Sequence, residues 1–145
     1  MHRRPLGRGR TLAAVGGALI VIGCVLPWWR VGGTPDLSAL SGNGLDGSGI
    51  LTFLVGIATL ALVALPYAAG DRPVGLDRWL SFAILAAAGW IGLAWQVVQL
   101  AIKGAFTFRE PTQVFTNGPG LWLAAIGLVI LARSAYVMTR ESAYR

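Results

Sequence analysis

Apolar residues run along this chain in four long uncharged windows: Thr11 to Trp29, Gly49 to Gly70, Trp79 to Ile102 and Gly118 to Ala132. Each approaches the roughly 20 residues a helix needs to span about 30 Å of hydrocarbon. A buried helix of a soluble domain could mimic one such window. Four of them in 145 residues, with little polar sequence between, leave no soluble surface to cover a core. The pattern predicts an all-α membrane protein, an antiparallel four-helix transmembrane bundle with spans at about 11–29, 49–69, 79–102 and 120–138. A basic tail (1–10) precedes this membrane domain (11–138) and a short tail (139–145) follows it.

The segments between the windows are rich in turn formers. Arg30 to Ser48 holds Gly32, Gly33, Gly42, Gly44 and Gly47 with Pro35, Asp36 and Asn43, a composition that suits turns or a small β-hairpin. Pro66 is expected to bend or end the second span. The loop Asp71 to Arg78 is short, so the second and third spans are expected to be antiparallel neighbours, with Asp77 as N-cap of the third. In the loop Lys103 to Asn117, two Phe-Thr stretches flank Pro111, a pattern that suits a second hairpin.

Composition fits the pattern. The hydrophobic fraction is 55% and only 12% of residues are charged, against about 25% in an ordinary soluble domain. The net charge of +6 could suggest nucleic acid, but its placement needs none. Arg3, Arg4, Arg8, Arg10, Arg72, Arg78, Arg133, Arg140 and Arg145 fall on one side of the predicted spans, and only Arg30, Lys103 and Arg109 on the other. Lys and Arg concentrate in cytoplasmic loops, so both ends are expected in the cytoplasm, with two outer loops, in a bacterial plasma (inner) membrane. The basic amino end would rest on anionic headgroups.

A basic start followed by an apolar run also resembles a secretory signal, and Val21-Ile22-Gly23-Cys24 a lipoprotein cleavage site. However, the apolar run continues past Cys24 to Trp29, where a mature lipoprotein would carry a polar tether. As the sole cysteine, Cys24 excludes an intramolecular disulfide.

Small residues let helix backbones approach closely in lipid. Gly16 and Gly23, Gly49 and Gly56, Gly92, and Gly120 and Gly127 are therefore expected at helix contacts. Gly47, Gly49 and Gly56 repeat the spacing of Gly118, Gly120 and Gly127, a hint of a duplicated two-helix unit. Gln96, Gln99 and Lys103 share one face of the third span. Intramembrane amides need partners, so this polar face reads either as inter-helix hydrogen bonding or as an outer vestibule. Trp28, Trp29, Phe106, Phe108, Phe115 and Trp122 gather at the outer side, as an interfacial belt or as a contact for a partner or lipid.

Recognisable chemistry is missing. The only histidine, His2, lies in the tail and cannot ligate an intramembrane haem. One cysteine cannot form the Cys-x-x-Cys pair of a thiol oxidoreductase. All six carboxylates, Asp36, Asp46, Asp71, Asp77, Glu110 and Glu141, fall in loops or the tail, whereas small proton-coupled exporters need one inside a span. No nucleophile–base set or phosphate loop is visible. The reading is a chain with no cofactor, no metal and no enzymatic activity.

Gly23 to Trp29 (G-C-V-L-P-W-W), Gly44 to Gly49 (G-L-D-G-S-G) and Gly118 to Trp122 (G-P-G-L-W) resemble the small tetraspan membrane proteins of bacteria, over most of the chain. That resemblance implies a four-span bundle and brings no activity with it. The layout of two outer loops on four helices is also similar to the claudin-like tetraspans. Here the first-loop disulfide has no second cysteine, and Asp46 follows Gly44-Leu45 where those proteins have Trp. The expected role is a structural or accessory subunit of a membrane complex, joined to other membrane subunits or to itself. A homo-oligomeric channel or small-solute transporter, and a membrane sensor signalling through the basic tail, stand as alternatives.

Overall fold

A computed structural model describes residues 7–32, 35, 38, 40–68, 79–104 and 118–143. The loop at 71–78, the Asp77 cap, most of the second outer loop and with it Phe106, Phe108 and Phe115 lie outside the described residues. The elements are helix α1 (Arg8–Val25), strands β1 (Pro27–Val31) and β2 (Leu40–Asn43), a single 3-10 turn (Gly47–Gly49), and helices α2 (Ile50–Ala68), α3 (Trp79–Ile102) and α4 (Pro119–Ala143). All four helical segments are long and apolar enough to cross a membrane.

The first span was expected to run to Trp29, but α1 stops at Val25. Pro27 explains the early end. A residue before proline is pushed out of the helical region, and Leu26 sits at φ −72°, ψ 156° after donating the last helical hydrogen bond to the Ile22 carbonyl. Pro27-Trp28-Trp29 consequently starts a strand, not a final helical turn. Pro66 lies inside α2, two residues from its end. Pro119 opens α4, a position whose amide would have no helical partner anyway, and α4 runs five residues beyond the predicted 138. Past the end of α3, Gly104 adopts φ +72°, the left-handed conformation that commonly closes a helix.

Strands β1 and β2 pair antiparallel, Trp29 opposite Gly42, Arg30 opposite Ser41 and Val31 opposite Leu40. The register slips between Pro27 and Trp29, so Trp28 is the extra residue of a bulge. A bulge bends its strand and re-aims side chains. That lets two consecutive tryptophans both reach glycines, Trp29 over Gly42 on β2 and Trp28 over Gly44 in the turn that follows it.

The helices contact in a ring: α1 with α4 and α2, α3 with α4 and α2. The closest meeting is α1 on α4. Gly9, Gly16 and Gly23 recur every seven residues and lie against Met138, Leu131 and Ala124, themselves seven apart and in reverse order. A seven-residue period keeps one helix stripe facing its partner. With no side chain at these glycines, the carbonyls of Gly127 and Gly120 lie against Gly16 and Gly23. Van der Waals and Cα–H···O contacts then replace side-chain packing.

The remaining glycines named above serve the same purpose at other seams. Gly56 on α2 receives Ile20 and Val21 of α1, and Gly92 on α3 receives Leu51 and Thr52 of α2. Gly49 packs on the backbone of Gly44. The interior is filled by Ile20, Phe82, Leu128 and Leu131. Its polar members are hydrogen-bonded: Thr52 Oγ1 donates to the Gly89 carbonyl, Thr59 Oγ1 to Val55 and Ser134 Oγ to Leu131.

Candidate functional site

The hairpin sits where α1 and α3 end and α2 and α4 begin, and the predicted tryptophans inside the described residues gather at this end with Gln96, Gln99 and Lys103, while Gly16, Gly56, Gly92 and Gly127 lie along the helix seams. Trp28 is only 1% exposed. Its ring lies against Gly44, where a Cβ would sit 2.6 Å from the Cζ2 atom, and its indole Nε1 donates to the Gly23 carbonyl at 2.8 Å. Trp28 was expected at an interfacial belt or partner contact. Its side chain is instead enclosed by the protein, because the bulge turns it inward over the end of α1. Trp29 is half-buried with its indole over Gly42. Trp122 is exposed on α4.

The segment after β2 is locked by its own backbone. Asn43 N donates to Asp46 Oδ2 at 2.9 Å, and Leu45 N to Asn43 Oδ1 at 3.0 Å. Gly44 N donates to the Cys24 carbonyl at 2.9 Å, tying the turn to the end of α1. The Cys24 side chain is buried in the apolar core as a small apolar group. Gly47 takes φ +86°, which a side chain would disfavour.

The two glutamines hold the same turn from α3. Gln96 is buried, its Nε2 donates to the Asp46 carbonyl at 2.9 Å, and its Oε1 accepts from Ser48 Oγ at 2.6 Å. Gln99 Oε1 lies 3.3 Å from the same hydroxyl. Ser48 has one proton and gives it to the nearer Gln96. The Gln99 oxygen is the second, longer acceptor for the same hydroxyl. Of the polar face predicted on α3, Gln96 and Gln99 thus close onto the loop, while Lys103 stays exposed at the helix end. The partners Asp46 and Ser48 lie about 50 positions away in the chain, and nothing in local sequence spacing marks them.

Gln96→Leu is expected to leave the Asp46 carbonyl without its amide donor and the Ser48 hydroxyl with only the longer Gln99 contact, at about 1–3 kcal/mol of stability. Gln99→Ala should cost well under 1 kcal/mol, its contact being longer and half-exposed. Unfolding midpoints in mixed detergent–SDS micelles, with proteolysis at the Gly44–Gly49 turn, check the contrast. Equal midpoints for the two variants would contradict the assignment.

At this end, then, aromatic side chains and amides hold a hairpin down on four helices, and Asn43, Asp46, Ser48 and Gln96 are spent on structure. Comparisons with protein-family models, curated proteins and solved structures find no match for this chain.

Proposed function

We propose that this chain is a non-catalytic integral membrane protein, an antiparallel four-helix bundle that serves as a structural or accessory subunit of a bacterial plasma-membrane assembly. Both ends lie in the cytoplasm and the hairpin faces outward. The observation that carries the membrane reading is the outer surface of four apolar helices. Large aliphatic residues stand on it along the whole length, with Ile91 67% and Ile102 81% exposed. In water such a surface would drive aggregation, whereas in lipid it is the solvated one. The charge bias of nine basic residues against three orients it.

The accessory role is supported by how the polar side chains are used. Gln96, Ser48 and Thr52 bond across elements and Thr59 and Ser134 to the preceding turn of their own helices, so these polar groups are used within the bundle. Purification from native membranes in mild detergent should retain a stoichiometric second chain whose membrane level falls when this gene product is removed. Recovery of this protein free of any other chain, in several detergents and in native nanodiscs, would overturn the subunit reading.

A further inference from the structure

The inner end of α4 carries charges that the bundle does not use. Arg133, Tyr136 and Arg140 follow one another on a single exposed stripe of this helix. The depth of Arg133 follows from the packing. Gly89 of α3 meets Leu128 of α4, and on the antiparallel reading above an equal stretch along each helix puts Trp79 level with Met138. Gly9, which lies between Arg8 and Arg10, packs on the same Met138. Trp79 is 42% exposed and Tyr67, at the inner end of α2, 52%, and aromatic residues so placed mark headgroup level. Arg133 then lies about 8 Å deeper along the helix axis. Among the described residues it is the most deeply placed charge at this end. A charge at such depth is costly unless an opposite charge reaches it. Arg133 has no hydrogen bond or ion pair among the described residues. The one described carboxylate at this end, Glu141, is turned toward α1, its Oε2 3.6 Å from where a Cβ on Gly7 would sit.

Arg140 supplies an independent observation. Its side chain does not extend into the cytosol. The guanidinium folds back one turn over Tyr136, 5.1 Å from the ring centroid, and Nη2 donates to the Tyr136 hydroxyl at 2.6 Å. That hydroxyl accepts the bond and keeps its own proton to give. Tyr136 is 57% exposed, so the phenol and the guanidinium over it stand outside the bundle, on its lipid side. Arg133 lies one turn away on the same stripe, where an arginine that snorkels toward the headgroups comes up to the same tyrosine. Two guanidinium groups and a phenol therefore share one spot with no protein anion among the described residues to meet them.

We propose that Arg133, Tyr136 and Arg140 hold the phosphate of one anionic phospholipid of the inner leaflet. A guanidinium matches two phosphate oxygens at once, and the tyrosine proton adds a further donor. The phosphate supplies the negative charge that Arg133 lacks, at the level where the inner leaflet carries it. The acyl chains lie along Ile126 and Val129, exposed on the same stripe toward the bilayer centre. A free phosphate ion has no apolar part to use that surface, so the lipid is the better fit. The proposal rests on the membrane-spanning reading above and on its orientation, which place this end of α4 in the inner leaflet.

The test is native mass spectrometry of the full chain released from nanodiscs of equal parts phosphatidylglycerol and phosphatidylcholine. The parent should retain phosphatidylglycerol over phosphatidylcholine by at least about tenfold. Arg133→Gln and Arg140→Gln should each remove that preference, and Tyr136→Phe should lower it severalfold. Arg8→Gln, which removes one charge near the same level on α1, should leave it intact. Unfolding midpoints guard against a fold defect. Phosphatidylglycerol should raise the parent midpoint above its value in phosphatidylcholine. The two Gln variants should lose that rise and match the parent in phosphatidylcholine. Midpoints lowered equally in both lipids would make the arginines structural and overturn the site. A parent without the preference, an Arg8→Gln loss equal to that of Arg133→Gln, or displacement of the lipid by inorganic phosphate would overturn it too. So would a benzophenone on Ala132→Cys, in a Cys24→Ser background, that captures a polypeptide instead of lipid. Carbonate extraction of native membranes separates the failures. A chain that leaves the membrane pellet refutes the spanning reading itself, whereas one that stays in the pellet and shows no lipid preference refutes only the site.

Discussion

Gly23→Leu is expected to abolish the α1–α4 contact and cost at least about 3 kcal/mol, the upper part of the range for overpacked sites. A Cβ at Gly23 would lie 2.5 Å from the Ala124 nitrogen, 2.8 Å from the Gly120 oxygen and 3.0 Å from the Ala124 Cα. Every one of these is a backbone atom, so no side-chain rotation on α4 relieves the clash. The helices must move apart, and the separation propagates to Gly16 and Gly127, which stand in the same relation one heptad away. Even Gly23→Ala should be clearly destabilising. Gly17→Ala is the control: its Cβ would approach side-chain atoms of Leu60 and Thr59 at 3.2 Å. Those can yield by a few tenths of an ångström, and alanine recovers the helix propensity glycine forfeits, about 1 kcal/mol. Unfolding midpoints in mixed micelles read both. A Gly23→Leu protein that unfolds where the parent does would refute the close approach.

The four helices were legible because length and apolarity are local properties, and each predicted window holds a helix to within a few residues. The ends were less so. The stop at Val25 required weighing Pro27 above the apolar run that continues to Trp29, and the turn formers after it permitted a hairpin without fixing its register. Small residues marked the seams, yet the seven-residue recurrence of Gly9, Gly16 and Gly23 was hidden because Gly9 lies in what reads as a basic tail. At the hairpin end, sequence marked Gln96 as needing a partner and could not name Asp46 or Ser48. That pairing depends on where α3 stands beside the start of α2, a long-range fact. Trp28 was misplaced for a similar reason. Adjacent tryptophans after an apolar helix read as an interfacial pair, and only a bulge, invisible to composition, sends one of them inside.

The glycines and the tryptophans of the hairpin end form one device. Gly42 and Gly44 leave the surface of β2 and its turn bare, and the two indoles supply the missing bulk, a way of stiffening glycine-rich strands. Without that cover a two-stranded hairpin is marginal by itself. Anchored by Gln96 from one side and by the end of α1 from the other, it becomes a rigid lid on the helices.

Trp28→Ala should therefore release that lid. Truncating a buried aromatic to alanine costs about 3–5 kcal/mol, and here the Gly23 carbonyl also loses the indole N–H that satisfies it. Trp28→Phe should recover the packing and fall short by about 1 kcal/mol, the worth of one hydrogen bond. Trp29→Ala should cost less than Trp28→Ala, since Trp29 is half-buried and donates no bond into the core. Cys24 offers an internal reporter. Gly44, pinned under the Trp28 ring, also lies against the Cys24 backbone, so loss of the ring opens the space above the only thiol in the chain. Maleimide labelling of Cys24 should rise at least tenfold in Trp28→Ala and stay near the parent level in Trp29→Ala and Trp28→Phe. Unchanged labelling together with a midpoint within about 1 kcal/mol of the parent would mean that Trp28 does not close this end.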